Sequence, residues 1–260
     1  MSEDRPEPPA VRAPEGMAGL AKGLAVIEAF GPDTPRLTVA DAARATDTTR
    51  AAARRCLLTL EQLGYLVHEG RYFQPTPRML RLGAAFLETS PLPQLAQPYL
   101  EAARDELVES VSLAVLEGDW SVFVARAETQ RIVVTGVRLG ARLPALGSAT
   151  GRVLLADRPD DELAARLRRA RPRAQSARAV VGPAELRKRV LAARAERVAW
   201  TDEELELGMR SMAVPVSDAR GRTVAAMSVS AFTARVSLER LLEEFLPVLR
   251  AHAERLGRLL

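Results

Sequence analysis

The feature that most constrains the fold is a series of three short helical patterns and one hairpin pattern in the first third of the chain. Apolar residues recur at helical spacing in residues 20–30, 39–45 and 51–63, and Thr38 is the predicted N-cap of the second helix. Two β-prone runs within residues 65–74 flank a Glu-Gly pair, which is typical of a hairpin. Three short helices followed by a hairpin predict a winged helix-turn-helix.

The third helical pattern has two chemically different sides when it is wound at about 100° per residue. We expect one side to face the core, and it holds Ala53, Cys56, Leu57, Leu60 and Leu63. The opposite side holds Ala51, Arg54, Arg55 and Gln62, with Arg50 on its flank. Cys56 is interpreted as a buried structural thiol.

Small residues and arginines on the N-terminal turns of a helix suit entry into the DNA major groove and contact with guanine edges or phosphates. The predicted DNA-binding residues are Thr48, Thr49, Arg50, Ala51, Arg54 and Arg55, together with Arg71 in the hairpin. The alternative is that these arginines form an ordinary solvated surface.

Composition limits the remaining classes. The net charge of +4 and a pI of about 9.8 permit binding to a polyanion, and 47% hydrophobic residues suffice for a packed core. The sequence contains neither a signal peptide nor a run of ~20 apolar residues, so we expect a cytoplasmic protein with no membrane partner. Its single cysteine excludes an internal disulfide and a thiolate metal site, and we expect no metal and no cofactor.

The rest of the chain alternates strands and helices. Residues 78–90 form an amphipathic helical pattern that a Ser-Pro-Leu-Pro segment breaks at 90–93. Beyond it, strands are predicted at 111–116, 121–126, 132–137, 212–216 and 223–230, and helices at 94–109, 150–156, 160–169, 184–197 and 237–260. Adjacent hairpins in this order favour a largely antiparallel sheet flanked by helices, hence an α+β fold.

Several segments resemble the IclR family of transcriptional regulators. They are LAKGLAVIEAF at 20–30, TRAAARRCLLTLEQLGY at 49–65, TPRMLRLG at 76–83, SLAVLEGD at 112–119 and EELELGMRSMAVPV at 203–216. Within the family, the motifs RAAARR and TPRMLRLG are similar to those of the β-ketoadipate-pathway regulators, the Pca/Pob group.

The resemblance implies a domain order. Residues 1–19 would be a disordered tail, 20–77 a winged helix-turn-helix, 78–93 a linker helix and 94–260 a GAF-like effector-binding domain. It also implies a dimer or a pair of dimers on a palindromic double-stranded DNA operator. The implied effector is a small carboxylic acid, either an aromatic acid or its catabolic product.

The effector-binding residues that the resemblance implies are Thr135, Leu143, Ala149, Thr150, Thr201, Ser211, Ser228 and Ser230. Their chemistry agrees, because small residues before a helix expose N–H groups that suit a carboxylate, and alternating serines share one face of a strand. The alternative is that Ser148 or Thr150 only caps a helix and that the two serines are solvated. An arginine partner for the carboxylate is expected, and Arg138, Arg142, Arg152 and Arg210 remain open.

Two other functions compete with an effector-controlled regulator. One is a regulator that binds DNA without any ligand. The other is a helix-turn-helix fused to a small enzyme domain, with Glu203 and Glu204 as its carboxylates. We expect no catalytic residues, because residues 94–260 contain one histidine, His252, and no cysteine, which removes most nucleophilic and histidine-base schemes. An acidic pair before a strand is also typical of a surface.

Overall fold

The computed structural model describes residues 16–31, 33–129 and 137–260. The chain forms two compact units, which meet in sequence between Phe86 and Leu87.

The first unit has the predicted three helices and hairpin. They are α1 (Ala18–Glu28), α2 (Val39–Ala45), α3 (Arg50–Gln62), β1 (Leu66–Glu69) and β2 (Tyr72–Pro75). Its core lies between the three helices and the hairpin, and it includes Val26, Leu57 and Phe73. Helix α1 begins at Ala18, so residues 18 and 19 are helical rather than part of the predicted disordered tail.

Helices α2 and α3 begin where their threonines can cap them. The Thr38 side chain accepts a hydrogen bond from the Asp41 N–H, and the Asp41 carboxylate accepts one from the Thr38 N–H. This reciprocal pair satisfies two backbone donors that a helix N-terminus otherwise leaves open. Thr49 caps α3 in the same manner through the Ala52 N–H.

The predicted helix break at residues 90–93 is wrong. A 3₁₀ turn (Pro77–Met79) leads into α4 (Leu80–Thr89), and α5 (Pro91–Leu107) begins directly after Ser90. Pro91 and Pro93 lie in the first turn of α5, where the backbone N–H groups have no intrahelical acceptor. Proline therefore begins a helix here instead of ending one.

The second unit is built around a six-stranded, fully antiparallel sheet. Its strands are β3 (Val111–Glu117), β4 (Trp120–Ala127), β5 (Arg142–Pro144), β6 (Ala199–Asp202), β7 (Met209–Ser217) and β8 (Thr223–Phe232). Their order across the sheet is β5-β4-β3-β8-β7-β6. The sequence analysis missed the short strands β5 and β6, and its strand at 132–137 lies almost entirely outside the described residues.

Helices cover both faces of this sheet. One face packs on α5 and on the C-terminal helix, which runs through α9 (Leu238–Arg240), a π-helical turn (Leu241–Phe245) and α10 (Leu246–Gly257). The other face packs on α6 (Ala149–Ala156), and α7 (Asp160–Arg169) and α8 (Pro183–Glu196) lie beside α6. The predicted fold class, a winged helix-turn-helix with an antiparallel sheet flanked by helices, is confirmed.

Candidate DNA-binding and effector-binding sites

Helix α3 has one buried side and one exposed side. Ala52, Ala53, Leu57 and Leu60 are buried in the core of the first unit. Arg50, Ala51, Arg54, Arg55 and Gln62 are exposed, as the helical spacing predicted. Two details of the predicted core side are wrong, because Leu63 is 51% exposed and Cys56 is only half-buried. Leu63 falls outside the core because α3 ends at Gln62 and the chain turns toward β1.

The threonines before α3 have local structural roles. Thr49 caps the helix, and the Thr48 hydroxyl lies 2.9 Å from the Thr46 hydroxyl. These contacts fix the turn between α2 and α3, so the first turn of α3 is held with its arginines exposed.

The hairpin carries a stack of cations on one aromatic ring. The Arg36 guanidinium lies 4.3 Å from the centre of the Tyr72 ring, and Arg71 lies 5.0 Å from it. The Arg71 side chain also donates a hydrogen bond of 2.8 Å to the Tyr72 hydroxyl. Arg71 is therefore restrained rather than freely solvated, and Arg36 joins it as a neighbouring positive charge that the sequence analysis did not single out.

A groove of about 380 Å³ links this hairpin to α3. Arg54 and Arg71 both line it, together with Thr38 and His68. Beside it, hydrogen bonds from the Thr38 side chain and backbone hold the pKa of Asp41 below its usual value, and Arg44 and Arg71 add attraction. The Asp41 carboxylate therefore stays ionised at neutral pH.

The predicted effector residues of the sheet share one face. In β8, Ala225, Met227 and Val229 belong to the core under α5 and α10, so Ser228 and Ser230 point to the α6 side. The strand register places Thr201 beside Ser211 and Ser211 beside Ser230. The Ser211 and Ser230 hydroxyls lie 2.8 Å apart. Three hydroxyls thus form one row across β6, β7 and β8.

The N-terminus of α6 contributes a second group on the same face. Thr150 accepts a hydrogen bond of 2.7 Å from Ser121, and Ser121 pairs with Leu143 across β4 and β5. Ala149 packs in one cluster with Ala213, which lies opposite Ser228. The structure therefore brings the sheet and α6 candidates to one side of the sheet, whereas Thr135 lies outside the described residues.

Ser148 caps α6, as the structural alternative foresaw. Its hydroxyl accepts a hydrogen bond of 3.1 Å from the Gly151 N–H. Gly151 permits close packing, because a Cβ there would lie 2.2 Å from both the Cα and the carbonyl oxygen of Ala145. The start of α6 is thus fixed tightly beside the sheet.

Two of the four candidate arginines are engaged elsewhere. Arg152 is buried and forms a two-pronged ion pair with Glu204, with N–O distances of 2.6 and 3.2 Å. Arg210 lies on the opposite face of the sheet, where it binds Asp202 and the Val236 carbonyl. Arg142 and Arg138 are exposed, and the Arg142 guanidinium stacks 4.8 Å from the centre of the Trp120 ring.

Three residues of this face escaped the sequence analysis. Glu204, interpreted there as surface, is only 7% exposed because it pairs with Arg152. Ser112 and Arg126 are neighbours on β3 and β4, with an N–O distance of 3.1 Å, and Ser112 lies opposite Ser228. Strand alternation could have placed them on one face, but only the strand order shows that this face also carries the serines.

A larger concavity of about 660 Å³ lies on the other side of the sheet. It is lined by the end of α5 and the start of the C-terminal helix, and its charged residues pair with one another, as in Glu109–Arg235 and Arg240–Glu244. The predicted effector residues that the structure describes do not line it.

The chain belongs to the IclR family of bacterial transcriptional regulators. Residues 19–70 match the IclR helix-turn-helix domain, and residues 84–258 match the domain described as bacterial transcriptional regulator IclR C-terminal. The chain is accordingly a DNA-binding transcriptional regulator and not an enzyme. Among the described residues, no helix combines the length and apolar character needed to span a membrane.

Comparison with individual proteins confirms the similarity to the Pca/Pob group. The chain is 42% identical to the Pca regulon regulatory protein of Pseudomonas putida, over 92% of this chain and 82% of that protein. It is 35% identical to the p-hydroxybenzoate hydroxylase transcriptional activator of Acinetobacter baylyi, over 96% of this chain and 94% of that protein.

Solved structures show the same architecture. A putative transcriptional regulator from Rhodococcus sp. RHA1 superposes with a TM-score of 0.80 at 45% identity, covering 93% of this chain and 97% of the other. An IclR homologue from Microbacterium hydrocarbonoxydans in complex with 4-hydroxybenzoate gives a TM-score of 0.75 at 25% identity, covering 92% and 98%.

Proposed function

We propose that this regulator is controlled by a small carboxylic acid, of the aromatic class, that binds between the start of α6 and the adjoining face of the sheet. The observation that carries the proposal is the row of hydroxyls from Thr201, Ser211 and Ser230, which shares a face with Ala149 and Thr150. Hydroxyls and backbone N–H groups satisfy carboxylate oxygens, and Leu143 together with the alanines would bury the apolar ring. The 4-hydroxybenzoate complex of the Microbacterium homologue supports this ligand class.

The DNA interface that we propose is the exposed side of α3 together with the hairpin. Arg54 and Arg55 would reach base edges in the major groove, while Thr48, Thr49, Arg50 and Ala51 lie at the helix N-terminus, where phosphates and close approach are favoured. Arg71 would contact the backbone or the minor groove from the hairpin. The shared groove between Arg54 and Arg71 supports a single continuous interface.

Dimerisation supports recognition of a palindromic operator, because one helix-turn-helix covers only one half-site. Two helices of the first unit carry exposed apolar side chains that a second copy could cover. On α1 these are Leu20, at 61% exposed, and Leu24, at 47%. On α4 they are Leu80, Leu82 and Phe86, at 75, 45 and 50%. A dimer, or a pair of dimers, would bury these residues.

The test of the effector site is ligand-induced stabilisation of the full-length protein. We expect at least one of protocatechuate, 4-hydroxybenzoate, β-ketoadipate and short keto acids to raise its melting temperature, because binding at a hundredfold excess over Kd stabilises the native state by about 2.7 kcal/mol. Failure of all these acids would favour a regulator that binds DNA without any ligand.

The matching variant is Ser211→Leu, which fills the face of the sheet where the hydroxyls meet. We expect it to abolish the ligand-induced shift and to leave DNA affinity without ligand unchanged. Ser217→Leu is the control, because Ser217 lies at the far end of the same strand and binds Arg197 instead. Normal ligand binding by Ser211→Leu would show that the acid binds elsewhere.

A further inference from the structure

We propose that Arg126 is the residue that holds the carboxylate of the effector, an assignment that rests on the proposed effector site. Arg126 lies on β4 and is directly opposite Ser112 on β3, which in turn lies opposite Ser228 on β8. The three residues form a row across the sheet, one register step from the hydroxyl row of Ser230, Ser211 and Thr201.

The direction of the Arg126 side chain follows from its neighbours. Val124, Ala125 and Ala127 belong to the core under α5 and α10, so Arg126 lies on the α6 side. Its Nη1 donates a hydrogen bond of 3.1 Å to the Ser112 Oγ, and Ser228 donates one of 3.4 Å to the Ser112 carbonyl. The guanidinium therefore lies beside the serines that the proposed effector would contact.

Burial makes this arginine unusual. Its side chain is 5% exposed, whereas the side chains of most arginines are solvated at the protein surface. A buried guanidinium is stabilised by acceptors, above all by carboxylates, whose two oxygens match its planar fork. The location thus favours a negatively charged ligand over a neutral one of the same shape.

Arg126 already binds one carboxylate. Its Nε lies 3.0 Å from an oxygen of Glu128, whose side chain is 61% exposed. Because Glu128 reaches the guanidinium from solvent, it can move away at small cost when a ligand carboxylate takes its place. Arg152 and Arg210 cannot serve in the same manner, since each forms an ion pair within the fold.

The experiment compares each acid with the amide of the same shape. Calorimetric titration of the full-length protein would use 4-hydroxybenzoate against 4-hydroxybenzamide, and protocatechuate against 3,4-dihydroxybenzamide. We expect the wild type to prefer the acid, and Arg126→Gln to weaken acid binding by ~10- to 100-fold, the value of a hydrogen bond to a charged group, while amide binding changes little. Arg142→Gln, at an exposed arginine, is the control.

A second variant keeps the test independent of folding at Arg126. Glu128→Gln removes the competing carboxylate at an exposed position, so we expect tighter binding of the acid and unchanged binding of the amide. An unchanged preference for the acid in both variants overturns the assignment of Arg126 and leaves the effector site standing. If the wild type binds neither acid, the aromatic effector proposal fails and the role of Arg126 fails with it.

Discussion

The guanidinium of Arg152 and the carboxylate of Glu204 form a buried, two-pronged ion pair that joins α6 to the segment after β6. The Arg152 side chain is 1% exposed, and it also donates hydrogen bonds to the carbonyls of Leu146 and Trp200. The pair thus ties the helix that begins the proposed effector site to the edge of the sheet.

Loss of one partner should destabilise the second unit strongly. We expect Glu204→Ala to lower the free energy of unfolding by roughly 3–5 kcal/mol, because it leaves a buried guanidinium without its counter-charge. The double variant Arg152→Met, Glu204→Leu should lose less than either single change. Chemical denaturation measures both, and a cost below about 1 kcal/mol for Glu204→Ala, typical of an exposed pair, would contradict the burial of this one.

The arginines of α3 give a prediction for DNA binding. Arg54→Ala and Arg55→Ala should each weaken operator affinity by about 1–3 kcal/mol without altering the melting temperature, because both side chains are exposed. Titration at matched salt measures the loss. Arg258→Ala, an exposed arginine at the end of α10, should bind like the wild type. Wild-type affinity in both α3 variants would place the interface elsewhere.

Gly151 gives a prediction about packing. In most helix interiors, Gly→Ala stabilises a protein, but a Cβ at Gly151 would overlap the backbone of Ala145. We expect Gly151→Ala to destabilise the protein by about 1–3 kcal/mol and to weaken effector binding, since the start of α6 must shift. Gly182→Ala, where a Cβ meets open space, should change stability by only a few tenths of a kcal/mol.

The capping pair of α2 gives a prediction about pH. Hydrogen bonds from Thr38 lower the pKa of Asp41 in the folded state, so the carboxylate stabilises the fold above its usual pKa of 3.8, and this stability is lost as the pH falls through the folded pKa. We expect Asp41→Ala to cost about 0.5–1 kcal/mol at pH 7, a low value because the carboxylate is partly solvated. The difference from the wild type should shrink below pH 3.8, and a constant difference would exclude this coupling.

The sequence was sufficient for features that depend on local chemistry. Residues 39–45 were predicted as a helix with Thr38 as its cap, and the structure has the same helix and the same cap, because capping involves residues three positions apart. The serines of β8 were likewise placed on one face by alternation alone.

Features that depend on long-range neighbours could not be predicted. Strands β5 and β6 have three and four residues, too few to show a period, and they exist because longer strands pair with them. Arg126 and Glu204 were missed for the same reason, since their burial comes from segments far away in the chain. The prolines of residues 91–93 were misinterpreted because the same residue that ends one helix can begin the next.

Transcription from the promoter that this regulator controls tests the central claim most directly. In a reporter strain that carries the regulator and this promoter, addition of the acid that stabilises the wild-type protein should change transcription at least several-fold. Ser211→Leu should keep the level seen without ligand, Ser217→Leu should respond like the wild type, and Arg54→Ala should lose control of the promoter altogether. A wild type that responds to none of the acids, or a Ser211→Leu variant that responds fully, would contradict the account.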